Sequence, residues 1–172
     1  VAVVWKFLYN QQFGLLNNVF GTTTAWISDP NIAWISVGVI GVWSIIGYNM
    51  VLFIGGLQEI PRDYYEAAEI DGATGIKQFF YVTVPLLSPT TFFIVQTRII
   101  GALTVFDLMF MVMDETNLAL GKTQSVVYLF YTYAFTNSNR GMGAAIVMVL
   151  VVFIMIITFI LQKLEKKFVF YN

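Results

Sequence analysis

The sequence contains no cysteine and no histidine. Thiol nucleophiles, disulfides, Cys/His zinc sites and histidine acid–base catalysis are therefore excluded within this chain. Charge is scarce too: Asp, Glu, Lys and Arg make up 11% of the 172 residues, against 58% hydrophobic residues and a mean hydropathy of +0.76. A soluble domain carries about a quarter charged residues, and a chain this size exposes too much surface for a core to absorb the deficit. Its solvent is therefore mostly lipid. The formal net charge of −1 leaves no basic face for nucleic acid. No Gly-rich phosphate loop ending in Lys-Ser/Thr is present, so no ATP or Mg site is expected in the chain itself.

What the chain does have is long apolar runs. A helix crossing a bilayer needs about 20 mostly apolar residues. Residues 32–57 and 142–162 meet that, and 82–113 is long enough but carries Pro85, Pro89, Arg98 and Asp107. The apolar start over residues 1–9 reads as the tail of a further span that begins upstream. The runs are continuous, without the period-two alternation of a membrane barrel, and in lipid a helix satisfies its own backbone donors. The expected fold is an all-α polytopic transmembrane bundle. Basic residues set the orientation: Arg62, Lys77, Lys163, Lys166 and Lys167 on one side, Lys122, Arg140 and Lys6 on the other, so loop 58–81 and the C-terminus are expected in the cytoplasm. Trp5, Trp26 and Trp34 fall near the outer boundary, and Phe168, Phe170 and Tyr171 near the inner one. Asp29-Pro30 and Asn137-Ser138-Asn139 read as turns in the outer segments, with a short surface helix between them over residues 123–135.

Loop 58–81 is a polar island between two spans. Pro61 suits a helix first turn, Asp63 and Glu66 oppose the helix dipole, and Gly72 is placed to end the helix in a left-handed conformation. Tyr65, Ala68, Glu69 and Gly72 are expected on one helix face; Ala67 and Ala68 permit close approach by another surface. A second helix is expected from Ala73 to Val82, stopping before Pro85. Two readings stand on chemistry alone: a docking element for a soluble partner, or a plain connector.

Inside the spans, Arg98 is the costly group and must face protein or water. It either lines a path or meets a second subunit, or it pairs with an acid on a neighbouring helix. Tyr48, Asn49, Gln96 and Asp107 are the other polar candidates for a path. Arg98 and Asp107 stand nine positions apart, about 13 Å along a helix, too far for an acid–base pair, which argues against a membrane-embedded enzyme. Gly38, Gly41, Gly47, Gly55 and Gly56 read as close-packing positions, and Met142, Met148 and Met155 as gap-filling ones. No inverted repeat marks a secondary transporter.

The pattern Glu66-Ala67-Ala68, Asp71-Gly72-Ala73, Phe79-Phe80 and Val82-Thr83-Val84-Pro85, with Pro89 downstream, resembles the EAA loop of bacterial ABC importer permeases. Gly56-Leu57-Gln58-Glu59-Ile60-Pro61 and Phe106-Asp107 resemble the carbohydrate branch of that family, the branch of the maltose permease subunits. The resemblance covers roughly Trp5 to the end. Met113-Asp114-Glu115-Thr116-Asn117 stands where many relatives have a Gly-Gly-Pro turn. The resemblance implies the type I importer core, truncated at its N-terminal side, with a cytoplasmic coupling helix. Glu66, Ala67, Ala68, Asp71, Gly72 and Ala73 would then engage the ATP-binding subunit. It further implies a bacterial plasma-membrane location, a second and unlike permease subunit, two ATP-binding subunits that hold the ATP and Mg, an extracytoplasmic solute-binding protein, and a sugar or oligosaccharide as solute. A non-sugar solute such as glycerol phosphate is the alternative.

Overall fold

Two long helices dominate the computed structural model, which describes residues 1–169. Every regular element among them is helical: α1 (Ala2–Leu8), α2 (Leu15–Phe20), α3 (Ala33–Gln58), α4 (Arg62–Ile70), α5 (Ile76–Leu86), α6 (Ser88–Leu103), α7 (Asp107–Val112), α8 (Leu120–Thr123), α9 (Val126–Thr136) and α10 (Arg140–Phe168). The all-α membrane bundle expected from composition is what forms. The Phe168 side chain, Phe170 and Tyr171, read above as an inner aromatic belt, lie outside what the structure describes.

α3 and α10 have 26 and 29 residues, about 39 and 43 Å at 1.5 Å per residue, and so exceed the hydrocarbon thickness of about 30 Å. Their most apolar stretches bury only 11% and 6% of their residues within the chain. A helix that is apolar all round and unburied needs lipid or another apolar chain around it. Ser36 and Ser44 in α3 return their hydroxyls to the carbonyls of Ile32 and Ile40 at 3.5 and 2.8 Å, which satisfies both serine donors within the helix. A side chain caps the N-terminal approach to each of the two helices. Asp29 Oδ1 accepts from Asn31 N at 2.8 Å ahead of α3, and Asn139 Oδ1 accepts from Met142 N at 3.1 Å at the start of α10. The two turns expected at Asp29-Pro30 and Asn137–Asn139 are both present; Ser138 takes φ +53° to make the second.

Residues 82–113, read above as one interrupted span, are three pieces. α5 runs through Pro85 instead of stopping before it. A π-helical turn over Phe79–Thr83 widens the ladder ahead of the proline, so the ring avoids the carbonyl it would strike in a regular α-helix. The axis then bends by 61° between α5 and α6. At the other end α6 stops at Leu103, and Phe106 leaves the helical region with φ −131°. The Phe106 ring packs on Phe110, Tyr128 and Tyr131 at 5.2 to 6.0 Å between centroids, and this aromatic cluster holds the break. The outer surface helix α9 begins at Val126, three residues later than expected, because Ser125 is its cap: Tyr128 N donates to Ser125 Oγ at 3.1 Å.

By its internal contacts the chain divides into two units, residues 1–45 with 101–152, and residues 46–100 with 153 onward. The first has its own core of Ala2, Tyr9, Ala33, Val37, Ile40, Met109, Val112, Met113, Ala119 and Tyr128. Asn17 is its polar hub, 5% exposed. It accepts from Trp26 Nε1 at 2.7 Å and Thr22 Oγ1 at 3.0 Å, and donates to the carbonyls of Gln11 and Thr24 at 3.1 and 3.0 Å. Asn17→Leu keeps the branched four-atom side chain but orphans these groups, at a cost of about 3 kcal/mol. Thermal unfolding followed by tryptophan fluorescence should show that loss. The segment Met113–Asn117 is pinned on three sides. Met113 is 1% exposed, Asp114 pairs with Lys6 at 3.2 Å, and Asn117 Nδ2 donates to Ile27 O at 3.3 Å.

Candidate functional site

The island folds as a helical hairpin in the second unit. Pro61 sits one position ahead of α4, not in its first turn: its φ of −62° is helical but its ψ of 144° is extended, so Arg62 opens the helix. α4 ends at Asp71 as a Schellman motif. Ala73 N donates to Ala68 O at 2.8 Å and Gly72 N to Glu69 O at 3.0 Å, with Gly72 at φ +75°. Those bonds satisfy the last carbonyls of the helix, and the left-handed residue is one that only glycine occupies without strain. Gly75, also left-handed at φ +52°, turns the chain into α5.

Side-chain bonds at Tyr65 tie α4 down. Tyr65 Oη lies 3.0 Å from Thr83 Oγ1, and Gln78 Nε2 donates to Tyr65 O at 3.4 Å. Thr83 is buried inside the π-helical turn of α5, so that turn seats the hairpin as well as accommodating Pro85. Tyr65 and Ala68 face inward and are half-buried; Glu66, Ala67, Glu69, Asp71 and Gly72 are exposed, and Ala73 is half-buried. The expected face is therefore split: Tyr65 and Ala68 pack under α4 while Glu69 stands in solvent. Close approach by another surface falls to Ala67, because Ala68 is spent on packing within the chain. No residue of α4 is fully buried. Ile70, Ile76 and Tyr81 are 87%, 78% and 80% exposed, so the hairpin presents apolar side chains beside its carboxylates. An open cleft of about 560 Å³ lies along it, lined by Leu57, Gln58, Ile60, Arg62, Tyr65, Glu66 and Glu69.

The polar groups of the spans separate into two sets. Arg98 of α6 and Tyr48 of α3 come together, with the guanidinium carbon 5.2 Å from the ring centroid. Arg98 Nε is buried without a hydrogen-bond partner, and so is Asn49 Oδ1, one residue beyond Tyr48. Gln96 is half-buried. Among the described residues Arg98 forms no ion pair, so the acidic neighbour considered for it is absent there. Asp107 belongs to the first unit, exposed in the first turn of α7, where its charge favours the helix N-terminus.

Of the five glycines read as packing positions in α3, Gly56 is the tightest. A Cβ there would collide with Thr90 Oγ1 and stand 2.9 Å from Thr90 Cβ. Gly41 has one ordinary contact, Leu108 at 3.8 Å, and Gly38, Gly47 and Gly55 face open space within the chain. Met142, Met148 and Met155 are likewise exposed rather than packed inside the chain. The π-helical turn beneath Tyr65 had no signal in the sequence beyond Pro85 itself, and the Asn17 hub had none.

The family described as "Binding-protein-dependent transport system inner membrane component" matches residues 1–169. Among curated proteins the chain is 36% identical over 175 aligned positions to the probable ABC transporter permease protein YurN of Bacillus subtilis, covering 98% of this chain and 58% of that one. It is 36% identical to the trehalose/maltose transport system permease protein MalF of Thermococcus litoralis, over 63% of this chain and 38% of the relative. It is 34% identical to the sn-glycerol-3-phosphate transport system permease protein UgpA of Agrobacterium fabrum, over 79% and 47%. The chain spans about half the length of the curated relatives it matches. In fold it is similar to a bacterial ABC transporter involved in import of the acidic polysaccharide alginate, with TM-score 0.86 and 16% identity over 96% of this chain and 59% of that chain.

Proposed function

Because the chain belongs to the family of binding-protein-dependent transport inner membrane components, we propose that it is a permease subunit of an ATP-driven importer for a sugar or oligosaccharide. In this reading it contributes half of the translocation path and is driven through α4. The observation that carries the reading is the capped, exposed hairpin of α4 and α5 between two apolar helical segments. Membrane helices with a plain connector need no Schellman cap, no inward tyrosine anchor and no row of exposed Glu66, Ala67 and Ile70. A rigid docking helix needs all three, since a partner can move the spans only through an element that does not unravel under load. The cleft beside Glu66 and Glu69 gives the partner a concave surface to enter.

The partners follow from the same reading. Two long helices and one bent pair are too few spans to enclose a path, so a second, unlike permease subunit completes it. Two ATP-binding subunits bear on the coupling helices, and an extracytoplasmic binding protein delivers the solute. The hairpin and the C-terminus, with Lys166 and Lys167 in the last turn of α10, face the cytoplasm of a bacterial cell. Glycerol phosphate is the second reading of the solute, favoured by the likeness to the UgpA protein.

The test is the assembled complex in proteoliposomes. Glu66→Arg reverses the charge on the exposed face of α4 without touching its anchor, and should lower ATP-dependent uptake by about tenfold or more, as charge reversal at a docked face does. Unchanged uptake, with the ATP-binding subunits still co-purifying, removes the coupling role from this helix.

A further inference from the structure

We infer that Tyr65 is a positioning residue that locks the register of the π-helical turn in α5, so that displacement of the docking helix α4 is converted into a change of the bend between α5 and α6. The inference rests on the permease reading above and adds the joint through which its lever acts. Tyr65 meets α5 near both ends of one turn. Its hydroxyl lies 3.0 Å from Thr83 Oγ1, and its carbonyl accepts from Gln78 Nε2 at 3.4 Å. Gln78 stands just before the π-helical turn and Thr83 is the last residue within it. One residue of α4 therefore grips the turn at its start and at its finish. Thr83 is 8% exposed, so its bond to Tyr65 is sheltered from competing water and is stronger for it.

The spacing makes the two bonds conditional on the widened turn. Residues five apart in a regular α-helix point about 140° away from each other, so Gln78 and Thr83 would face different neighbours. A turn closed five residues back, here by Val84 N donating to Phe79 O, brings them round to nearly the same side. Both then reach Tyr65. The converse also holds: moving Tyr65 works directly on the register of this turn. A helix that gains or loses such a turn rotates everything beyond it, and what lies beyond is the 61° bend into α6. Pro85 gives the preceding turn no N–H, and kinks form where a proline or a π-helical turn interrupts the ladder. The covalent route from α4 to α5 is the softer one. It passes through Gly75, left-handed at φ +52°, where glycine dihedrals can take up a push before it reaches the spans.

The experiment uses the full-length chain assembled with its partner permease and ATP-binding subunits in lipid nanodiscs. Spin labels on Ile76→Cys and Val95→Cys, exposed positions on either side of the bend, report the distance across it by double electron–electron resonance. ATP with vanadate should change that distance in the labelled parent. Thr83→Val removes the buried hydroxyl without altering the exposed face of α4. It should cut the fraction of molecules that respond about 5- to 10-fold, the population effect of one hydrogen bond, with the ATP-binding subunits still co-purifying. Thr83→Ser keeps a hydroxyl and should restore the response. Tyr65→Phe should match Thr83→Val, and the two together should add nothing, because both delete the same bond. A full response in Thr83→Val, additive losses in the pair, or no recovery in Thr83→Ser overturns the inference. A distance that ATP leaves unchanged in the parent also overturns it, and leaves the importer reading standing. Loss of the ATP-binding subunits from Thr83→Val makes the bond a support of docking instead of a joint, and overturns it too. Failure of the labelled parent to hold ATP-binding subunits overturns the importer reading, and this inference with it.

Discussion

Gly72→Val should cut ATP-dependent uptake by about tenfold or more while both long helices still insert. The residue stands at φ +75° and closes the Schellman motif of α4. A left-handed backbone costs an L-residue roughly 1–2 kcal/mol, and a β-branched side chain is a worse occupant still. That sum is small for a domain but large for α4. The helix has nine residues and none fully buried, and helices under about 12 residues are marginal without tertiary support. Its support includes the Tyr65–Thr83 and Gln78–Tyr65 bonds and the cap. With the cap strained by about 2 kcal/mol, the amides of Asp71, Gly72 and Ala73 should exchange with deuterium roughly 30-fold faster. Gly72→Asn, which tolerates the left-handed region, should restore most of the protection and most of the uptake. If Gly72→Val accelerates exchange and transport is unaffected, α4 is not the lever.

Gly56→Leu should destabilise the second unit by about 3 kcal/mol, the upper part of the range for overpacking, and Gly55→Leu should not. The two positions are adjacent in one helix and equally apolar. They differ in what a side chain would meet: Thr90 Oγ1, Thr90 Cβ at 2.9 Å and Leu87 Cδ1 at 3.0 Å for Gly56, nothing within 4 Å for Gly55. In lipid no hydrophobic gain offsets forcing two helices apart, because the tails are as apolar as leucine. At Gly55 the better helix propensity of leucine makes the change neutral or slightly favourable, by roughly 0.5 kcal/mol. Graded SDS unfolding of the purified complex, with recovery of assembled complex as a second readout, separates the two. Equal loss at both positions would mean that Gly55 is itself packed against a partner subunit.

The all-helical bundle was legible because composition alone decides it: a chain with 11% charged residues and uncharged runs of helix-spanning length has one economical way to satisfy its backbone in lipid. The turn residues were legible for a similar reason. Gly72 is left-handed and Asp29 and Asn139 cap through their side chains, each a local effect that does not wait for the rest of the fold. Pro85 and Pro89 marked the right place but not its shape. Sequence rules stop a helix before a proline, yet α5 continues through Pro85 because a π-helical turn makes room, and Thr83 in that turn is what Tyr65 grips. Whether a proline ends, kinks or is absorbed depends on the neighbours that hold the widened turn, and those arrive from α4.

The rest was decided by tertiary contact. Residue types announced that Arg98 and Asp107 were costly and had to be accounted for; only packing put Arg98 against Tyr48 and left Asp107 to the other unit. A run of glycines in α3 announced close approach without saying where, because a missing Cβ matters only at the point where another backbone arrives, and that point is Gly56 against Thr90. Hydropathy and turn chemistry are properties of a segment and its solvent, so they survive in the linear chain. Which buried donors and acceptors meet is set by distances between helices remote in sequence, and no periodicity carries that information.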